Sequence, residues 1–258
     1  GMAVNPLSKK TEIPILGAVA HPDFIKQNPY AYQFWPSPND EAGKIAKVIF
    51  QNGVKSIYSL STEDDWLLAF QKGLEENYQQ LGGKITVQQN VEPTFLDFRS
   101  LILKIKQSGA EGVFIGLAPN QLGIFIKQFR EAGMTQTIYT TFMIKFEDVL
   151  NTLNQDLLDQ IVFVEIDAMK PNFVREYQKI AQNRPPAGLS YSCYLTSEAL
   201  YQACEKHLEN KQTFSEILSK MTTVETTDQP IKFKNQKAEF DLVVNEFQQG
   251  RIVQLIAP

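Results

Sequence analysis

The chain has 258 residues, 43% of them apolar, with 25 Lys and Arg against 29 Asp and Glu. This length and composition are enough to bury a substantial core, in one large domain or in two smaller ones. The formal net charge of −4 provides no basic surface for a polyanion, so we expect no nucleic-acid partner. The sequence has no apolar stretch of the roughly 18 residues that a membrane span needs, and no leader peptide is recognisable in it.

Helical and strand patterns alternate at a regular spacing from residue 37 to residue 140, after two short β-prone runs at Ile13–Ala18 and Tyr32–Trp35. Apolar residues at a helical period predict four helices, which begin near Pro38, Thr62 to Asp65 (as a capping box), Asp97 and Asn120. Four strands are predicted between and after them, at Ser56–Leu60, Lys84–Gln89, Gly112–Gly116 and Thr137–Thr141. Such βα units, repeated about every 25 to 30 residues, predict an α/β fold with a parallel sheet and helices on both of its faces.

The pattern changes in the last third of the chain. The elements predicted there are a strand at Ile161–Ile166, helices at Asn172–Ala181, Tyr191–Leu208 and Phe214–Lys220, and strands at Pro230–Phe233, Phe240–Phe247 and Ile252–Ile256. The last three strands are short and indicate antiparallel pairing. The threonine-rich and charged segment Thr222–Asp228 is interpreted as a crossing between two lobes.

The two cysteines, Cys193 and Cys204, are eleven residues apart within one predicted helix. A rise of about 1.5 Å per residue would separate them by about 16 Å. A disulfide needs Cα atoms within about 7 Å of each other. We therefore expect two free thiols, buried as small apolar side chains.

The sequence contains no recognisable catalytic or metal-binding motif. Only His21 and His207 could serve as imidazole bases, and neither lies near a nucleophile motif. No group of Cys, His or carboxylate residues has the spacing of a metal site. We expect no catalytic residue, no metal and no cofactor, and we predict that the chain is not an enzyme. His207 is interpreted as a surface residue, and His21 either as a plain loop residue or as part of a pocket.

Open α/β sheets bind their ligands outside the carboxyl ends of the strands. This rule selects four loops, at Ala18–Pro22, Ser61–Trp66, Leu117–Asn120 and Thr140–Ile144. Helices that start after such loops present free backbone N–H groups and the positive end of the helix dipole. These groups suit a carboxylate or another anion.

Several segments carry a family resemblance, and they occur in an order that covers nearly the whole chain. They are IPILGAVAHP at 13–22, FWPSP at 34–38, DFRSLILKIK at 97–106, AEGVFIG at 110–116, IKQFREAG at 126–133 and QPIKF at 229–233. In this order they resemble type 1 periplasmic binding proteins of the leucine/isoleucine/valine-binding family, the extracellular ligand-binding receptors of ABC transporters. The resemblance implies two Rossmann-like lobes of parallel sheet with flanking helices.

The resemblance also implies a division of the chain between the lobes. Lobe 1 is expected to comprise residues 1–37 and 166–225, and lobe 2 residues 38–165 and 226–258. The opening βα units of lobe 1, roughly a hundred residues at the repeat length above, have no counterpart, so we expect lobe 1 to be incomplete. Its sheet would then have an exposed edge, which makes a homodimer possible.

Proteins of this family are receptors that deliver a solute to an ABC permease. The resemblance implies that this chain binds an amino acid, an amide or an aromatic carboxylate between its lobes by hinge closure, in the periplasm. A second interpretation is a ligand-sensing regulatory module with the same fold, which would be cytoplasmic. A third is a truncated remnant that binds no ligand.

Six residues of the four loops are candidates for contact with the ligand: Ala18, Ala20, His21, Trp66, Ala118 and Phe142. By the resemblance, Ala20 replaces a hydroxyl of the amino-acid binders, Ala118 replaces an aromatic residue, and Phe142 replaces the acid that anchors the ligand ammonium. An α-ammonium would lose its charge partner, which disfavours a free amino acid. Trp66 matches the family's aromatic position. Trp66 and Phe142 are interpreted either as the walls of an apolar or aromatic-acid pocket or as part of the core.

Overall fold

The computed structural model describes residues 2–21, 23–182 and 186–255, and Pro22 and Ile256 of the predicted loop and strand lie outside these ranges. The chain forms two compact units. Unit 1 comprises Gly1–Ser37 and Ile166–Asp241, and unit 2 comprises Pro38–Glu165 and Leu242–Pro258. The chain therefore passes from one unit to the other three times, after residues 37, 165 and 241.

The bounds of the elements follow in chain order. The strands are β1 (Ile15–Gly17), β2 (Ala31–Gln33), β3 (Ser56–Thr62), β4 (Lys84–Val91), β5 (Gly112–Gly116), β6 (Ile138–Thr141), β7 (Ile161–Ile166), β8 (Thr223–Val224), β9 (Ile231–Lys234), β10 (Lys237–Ala238), β11 (Leu242–Gln248) and β12 (Arg251–Leu255). The helices are α1 (Asn5–Thr11), α2 (Pro38–Gln51), α3 (Asp65–Gln80), α4 (Arg99–Ser108), α5 (Pro119–Glu131), α6 (Glu147–Leu150), α7 (Gln155–Leu158), α8 (Pro171–Ile180), α9 (Gly188–Asn210) and α10 (Phe214–Ser219).

Unit 2 is built on a seven-stranded sheet in the order β12-β11-β7-β6-β5-β3-β4. The five strands from β3 to β7 are parallel, which confirms the predicted α/β class. The strand β3 has β4 on one side and β5 on the other, so the direction in which strands are added reverses between β3 and β5. In open α/β sheets such a reversal opens a crevice at the carboxyl ends of the two strands.

Helices cover both faces of this sheet, because its strands alternate apolar residues between the two sides. Each face carries its own buried apolar cluster. Leu60 of β3 lies in one cluster with Phe98 and Phe125, and the second cluster contains Phe70 and Phe114. The rings of Phe70 and Phe114 stack with their centroids 5.3 Å apart. These two layers of core fix the strand ends that carry the candidate site.

The start of α3 differs in detail from the predicted capping box. Asp64 is the N-cap, and its side chain accepts hydrogen bonds from the Trp66 and Leu67 amides at 3.0 and 3.1 Å. Thr62, predicted to be the cap, is the last residue of β3. The prediction was wrong because the strand continues two residues past Leu60, and the Thr62 hydroxyl bonds across the sheet instead.

Unit 1 contains a smaller sheet in the order β1-β2-β10-β9-β8, with β1 at one edge. β1 and β2 are parallel, and β9 pairs antiparallel with both β8 and β10. Residues 226–241, which the sequence analysis assigned to lobe 2, lie in unit 1 because Lys237 of β10 pairs with Gln33 of β2. For the same reason the predicted crossing at Thr222–Asp228 is wrong, and the chain leaves unit 1 only after Asp241.

The long helix α9 crosses unit 1 and carries both cysteines. Both are free thiols, as predicted, but Cys193 is exposed and Cys204 is partly exposed, so the predicted burial was wrong. A buried stripe of α9 runs through Tyr191, Leu195 and Ala199. Within the ranges that the structure describes, no helix has the length and hydropathy needed to cross a lipid bilayer.

Candidate functional site

The reversal of strand order in unit 2 brings the ends of β3 and β5 together. The Thr62 hydroxyl accepts a hydrogen bond from the Ala118 amide at 3.0 Å and donates one to Gln121 Oε1 at 2.5 Å. The Gln121 amide group in turn donates to the carbonyls of Glu92 and Phe95, at 2.9 and 2.8 Å. These residues join the loops after β3, β4 and β5 into one hydrogen-bonded edge, since each buried polar group in it has a partner.

Trp66 lies in the first turn of α3, directly after this edge. Its ring is partly buried and contacts Phe142 with the ring centroids 5.7 Å apart. The structure therefore brings together the two aromatic residues proposed as pocket walls. The indole Nε1 of Trp66 is buried and has no hydrogen-bond partner within the described ranges. A buried donor without a partner costs about 1 to 3 kcal/mol, so this atom makes the position of Trp66 less favourable than full hydrogen bonding would.

Phe142 is held by the segment that follows β6. Thr141 ends the strand, and its hydroxyl accepts a hydrogen bond from the Met143 amide at 3.4 Å. This contact caps the short 3-10 helix Phe142–Lys145. The Phe142 ring packs against Phe146 at 5.8 Å as well as against Trp66. Both Trp66 and Phe142 are partly exposed, as a pocket wall requires.

An ion-pair cluster that sequence reasoning missed lies at the carboxyl end of β7. Lys145 Nζ donates to both oxygens of Glu165, at 3.0 and 2.8 Å, and Asn245 Nδ2 donates to Glu165 Oε1 at 2.7 Å. The Glu165 side chain is 8% exposed and that of Lys145 is 22% exposed. Glu165 and Asn245 are 80 residues apart in the chain, so no local pattern indicated the contact.

The three remaining candidates follow β1 in unit 1. Ala18 is exposed, and Ala20 and His21 are partly buried. His21 Nδ1 accepts a hydrogen bond from the Asp23 amide at 3.1 Å, and its carbonyl accepts one from Phe24 at 3.1 Å. These bonds explain the position of His21 as a turn residue without a ligand, and its alternative role in a pocket stays a prediction.

Two surface cavities among the described residues lie away from the candidate residues. A cavity of about 440 Å³ in unit 1 is lined by Ile13, Leu16 and Phe214 among others. A cavity of about 640 Å³ in unit 2 is lined by Gln160, Glu246 and Arg251 among others, at the amino end of β7. Neither involves the carboxyl ends of the parallel strands. Among the described residues, no three His, Cys, Asp or Glu side chains are grouped so as to hold a metal ion.

Comparison with known proteins identifies a family. The family model described as periplasmic binding protein matches residues 1–251 of this chain. A Leu/Ile/Val-binding protein homolog of Brucella melitensis is 26% identical over 136 residues. That match covers 52% of this chain and 35% of the relative, so the chain matches only about a third of that relative's length.

Solved structures share the fold at low sequence identity. A leucine-binding protein from Thermotoga maritima superposes with a TM-score of 0.86 and 16% identity, covering 99% of this chain and 75% of that chain. A solute-binding protein of an ABC transporter from R. palustris, solved in complex with benzoate, superposes with a TM-score of 0.84 and 14% identity, covering 98% of this chain and 73% of that chain.

Proposed function

Because this chain belongs to the periplasmic binding protein family, we propose that it is a solute-binding receptor of an ABC-type importer. Its ligand is an amino acid or a related small carboxylate or amide. The ligand binds between the two lobes, which close around it by a hinge movement. An ABC permease is then the partner that receives the ligand, and the periplasm is the compartment in which binding takes place.

The observation that carries this proposal is the pairing of Trp66 with Phe142 beside the reversal of strand order. Ligands of open α/β sheets bind at that point, and the two rings lie 5.7 Å apart there. Both rings are partly exposed although aromatic side chains of this size are usually buried. The unpartnered Nε1 of Trp66 adds a donor for an oxygen of the ligand.

The charges at the carboxyl ends of the parallel strands of unit 2 favour a ligand carboxylate that has no ammonium group. Glu165 is a buried carboxylate at the end of β7, but Lys145 and Asn245 already bind its oxygens. Phe142, at the position where the family resemblance predicts an acid, offers no charge at all. An α-ammonium buried there would remain without an opposite charge, which costs several kcal/mol or more. We therefore propose an aromatic or apolar carboxylate in preference to a free α-amino acid.

The ligands named for two structural relatives include both an aromatic carboxylate and a free amino acid. One relative from R. palustris was solved with benzoate, and another from Streptococcus pneumoniae with isoleucine. The aromatic pair at 5.7 Å supports the first kind of ligand for this chain, because two rings at this spacing present a face and an edge to a third ring.

A thermal-shift screen tests the proposal directly. The chain is heated with benzoate, 4-hydroxybenzoate, isoleucine, leucine and the corresponding amides, each at a series of concentrations. A ligand at 100 times its dissociation constant adds about 2.7 kcal/mol to the free energy of unfolding, so a specific ligand raises the melting temperature by several degrees. We expect a shift with an aromatic carboxylate. A screen without any shift in a folded sample would contradict the receptor proposal.

The alternative interpretations make different predictions. In the sensor interpretation a ligand still stabilises the chain, but its gene lies next to a regulator and not next to permease genes. In the remnant interpretation no compound in the screen shifts the melting temperature. The homodimer also remains a prediction, based on the edge position of β1. Sedimentation that detects only monomer at high concentration would contradict it.

A further inference from the structure

Two ion-pair clusters flank two of the three points at which the chain passes between the units. The chain leaves unit 2 after Glu165 and returns to it after Asp241. Each cluster lies within one unit and binds both of the chain segments that cross. The first is the cluster of Lys145, Glu165 and Asn245 in unit 2, and the second is centred on Lys170 in unit 1.

Lys170 joins the two crossing segments on the unit 1 side. Its Nζ donates to Asp167 Oδ2 at 2.9 Å and to Asp241 Oδ2 at 2.9 Å. The Asp167 amide donates to the carbonyl of Asp241 at 2.9 Å, so the two segments are also bonded through their backbones. Asp167 follows β7 by one residue, and Asp241 immediately precedes β11.

The burial of Lys170 makes its bond to Asp167 stronger than that of an ordinary surface pair. Its side chain is only 12% exposed, and that of Asp167 is 24% exposed. Asp167 is held further by its Oδ1, which accepts a hydrogen bond from the Met169 amide at 3.1 Å. Charge-assisted hydrogen bonds that are partly shielded from water are worth more than exposed ion pairs. Lys170 therefore restrains the two segments as a pair.

The cluster in unit 2 joins the same two crossing segments on the unit 2 side. Lys145 and Asn245 hold Glu165, the last residue before the chain leaves unit 2. Since Asn245 belongs to β11, this cluster also joins the two crossing segments. Between the restraints of the two clusters lie only Ile166 on one segment and residues 242–244 on the other.

We propose that Lys170 is a positioning residue for closure: it locks the crossing segments at Asp167 and Asp241, so that on these two of the three crossing segments bending is confined to Ile166 and residues 242–244. A restrained pivot makes the two segments bend together and limits the range of open arrangements. Fewer open arrangements reduce the entropy that is lost when a ligand closes the units. The role in closure rests on the proposed receptor function, whereas the restraint itself exists without a ligand.

Distance measurements between two spin labels test the restraint in the ligand-free chain. One label is placed on the exposed Cys193 of unit 1 and the other on Lys104→Cys, an exposed position of α4 in unit 2, with Cys204→Ala to remove the second thiol. We expect Lys170→Met to broaden the distribution of label distances by about twofold, because the segments lose their common anchor. An unchanged distribution would overturn the proposal.

A matched variant separates this effect from the loss of any lysine. Lys179→Met in α8 removes a surface ion pair with Glu176 at 2.7 Å and should leave the distance distribution unchanged.

If Lys170→Met fails to fold, Asp241→Asn provides the same test, because the Asp241 side chain is 63% exposed and its loss leaves the core intact. We expect the Asp167 amide to exchange about tenfold faster in both Lys170→Met and Asp241→Asn, and equal exchange in all variants would also overturn the proposal.

Binding of benzoate, as a probe, distinguishes the restraint from the receptor function. If benzoate narrows the distance distribution of the unmodified chain but less so that of Lys170→Met, both proposals are supported. If benzoate has no effect on either chain while Lys170→Met still broadens the distribution, the restraint is supported and an aromatic-acid receptor is not.

Discussion

The Thr62 hydroxyl lies 3.0 Å from the Ala118 amide and joins the carboxyl ends of β3 and β5 across the point where strand order reverses. Together with the parallel pairing of β3 and β5, which ends at Ser61 and Gly116, this contact holds Trp66 and Ala118 at one edge of the sheet, although they are 52 residues apart in the chain. The hydroxyl is buried and also donates to Gln121, so it cannot be replaced by a group that only fills space.

Thr62→Val tests the importance of this contact. Valine has a similar shape but leaves the Ala118 amide and Gln121 Oε1 without their shared partner, and unsatisfied buried groups of this kind cost about 1 to 3 kcal/mol. We expect the free energy of unfolding in urea to fall by that amount. Thr135→Val, at an exposed position, should change it by less than about 0.5 kcal/mol. Equal effects of the two substitutions would contradict the assignment.

Much of unit 2 could be predicted from the sequence. The helices α2 to α5 and the strands β3 to β6 all occur where the apolar periods predicted them, because each helix has one apolar face and the inner strands β3, β5 and β6 are buried on both faces. The placing of Trp66 and Phe142 at one edge follows from the sequence as well, since both residues come after parallel strands, whereas the contact of their rings does not. Whether they contact a ligand is still a prediction.

Trp66→Leu tests the aromatic pair as a ligand wall. The substitution keeps the position apolar but removes the ring and its Nε1, and a lost aromatic contact is worth about 0.5 to 1.5 kcal/mol beyond the buried area. We expect the affinity for benzoate or 4-hydroxybenzoate, measured by calorimetry, to fall by about tenfold or more. Phe50→Leu removes a ring of the same unit that packs on Tyr78, and it should reduce stability without changing affinity. Unchanged affinity in Trp66→Leu would place Trp66 in the core.

Contacts between distant segments could not be predicted in this way. Lys145, Glu165 and Asn245 show no pattern in the sequence, since an isolated charge is indistinguishable from a surface residue until the strands are placed side by side. The assignment of β9 and β10 failed for the same reason. Their place depends on contacts with β2 and the turn before it across some 200 residues, the pairing of Lys237 with Gln33 and the hydrogen bonds of Gln236 to the carbonyls of Asn28 and Ala31.

A double-mutant cycle on Lys145 and Glu165 measures their coupling. Lys145→Met leaves a carboxylate that is 8% exposed without its charge partner, which costs about 3 to 5 kcal/mol of unfolding free energy. We expect the double variant Lys145→Met with Glu165→Gln to recover more than half of this loss, because the glutamine oxygen still accepts from Asn245. The exposed pair of Lys72 and Glu76 serves as control, and Lys72→Met should cost less than about 0.5 kcal/mol. Strictly additive losses in the cycle would show that the two residues are not coupled.

Lys170 should make stability depend on pH in the alkaline range. Burial acts to lower the pKa of Lys170, but hydrogen bonds and charges from Asp241 and Asp167 outweigh it, so the pKa is raised above 10.5. A group whose pKa is raised by folding stabilises the folded chain fully below its unfolded pKa, and this contribution is lost as the pH rises through the folded pKa. The contribution of Lys170 is therefore complete at neutral pH and disappears only above pH 10.5.

The difference in unfolding free energy between the unmodified chain and Lys170→Met isolates this contribution. We expect the difference to be constant from pH 7 to pH 10 and to shrink as the pH rises above 10.5, with thermal or urea unfolding as the measurement. Tyr191 lies close enough to interact with Lys170, but burial raises the pKa of Tyr191 to about 12, so Tyr191 is mostly neutral near pH 10.5. Lys179→Met controls for alkaline effects that any lysine would share. A difference that instead shrinks as the pH falls from 10 toward 7 would show that Lys170 does not stabilise the chain through its charge.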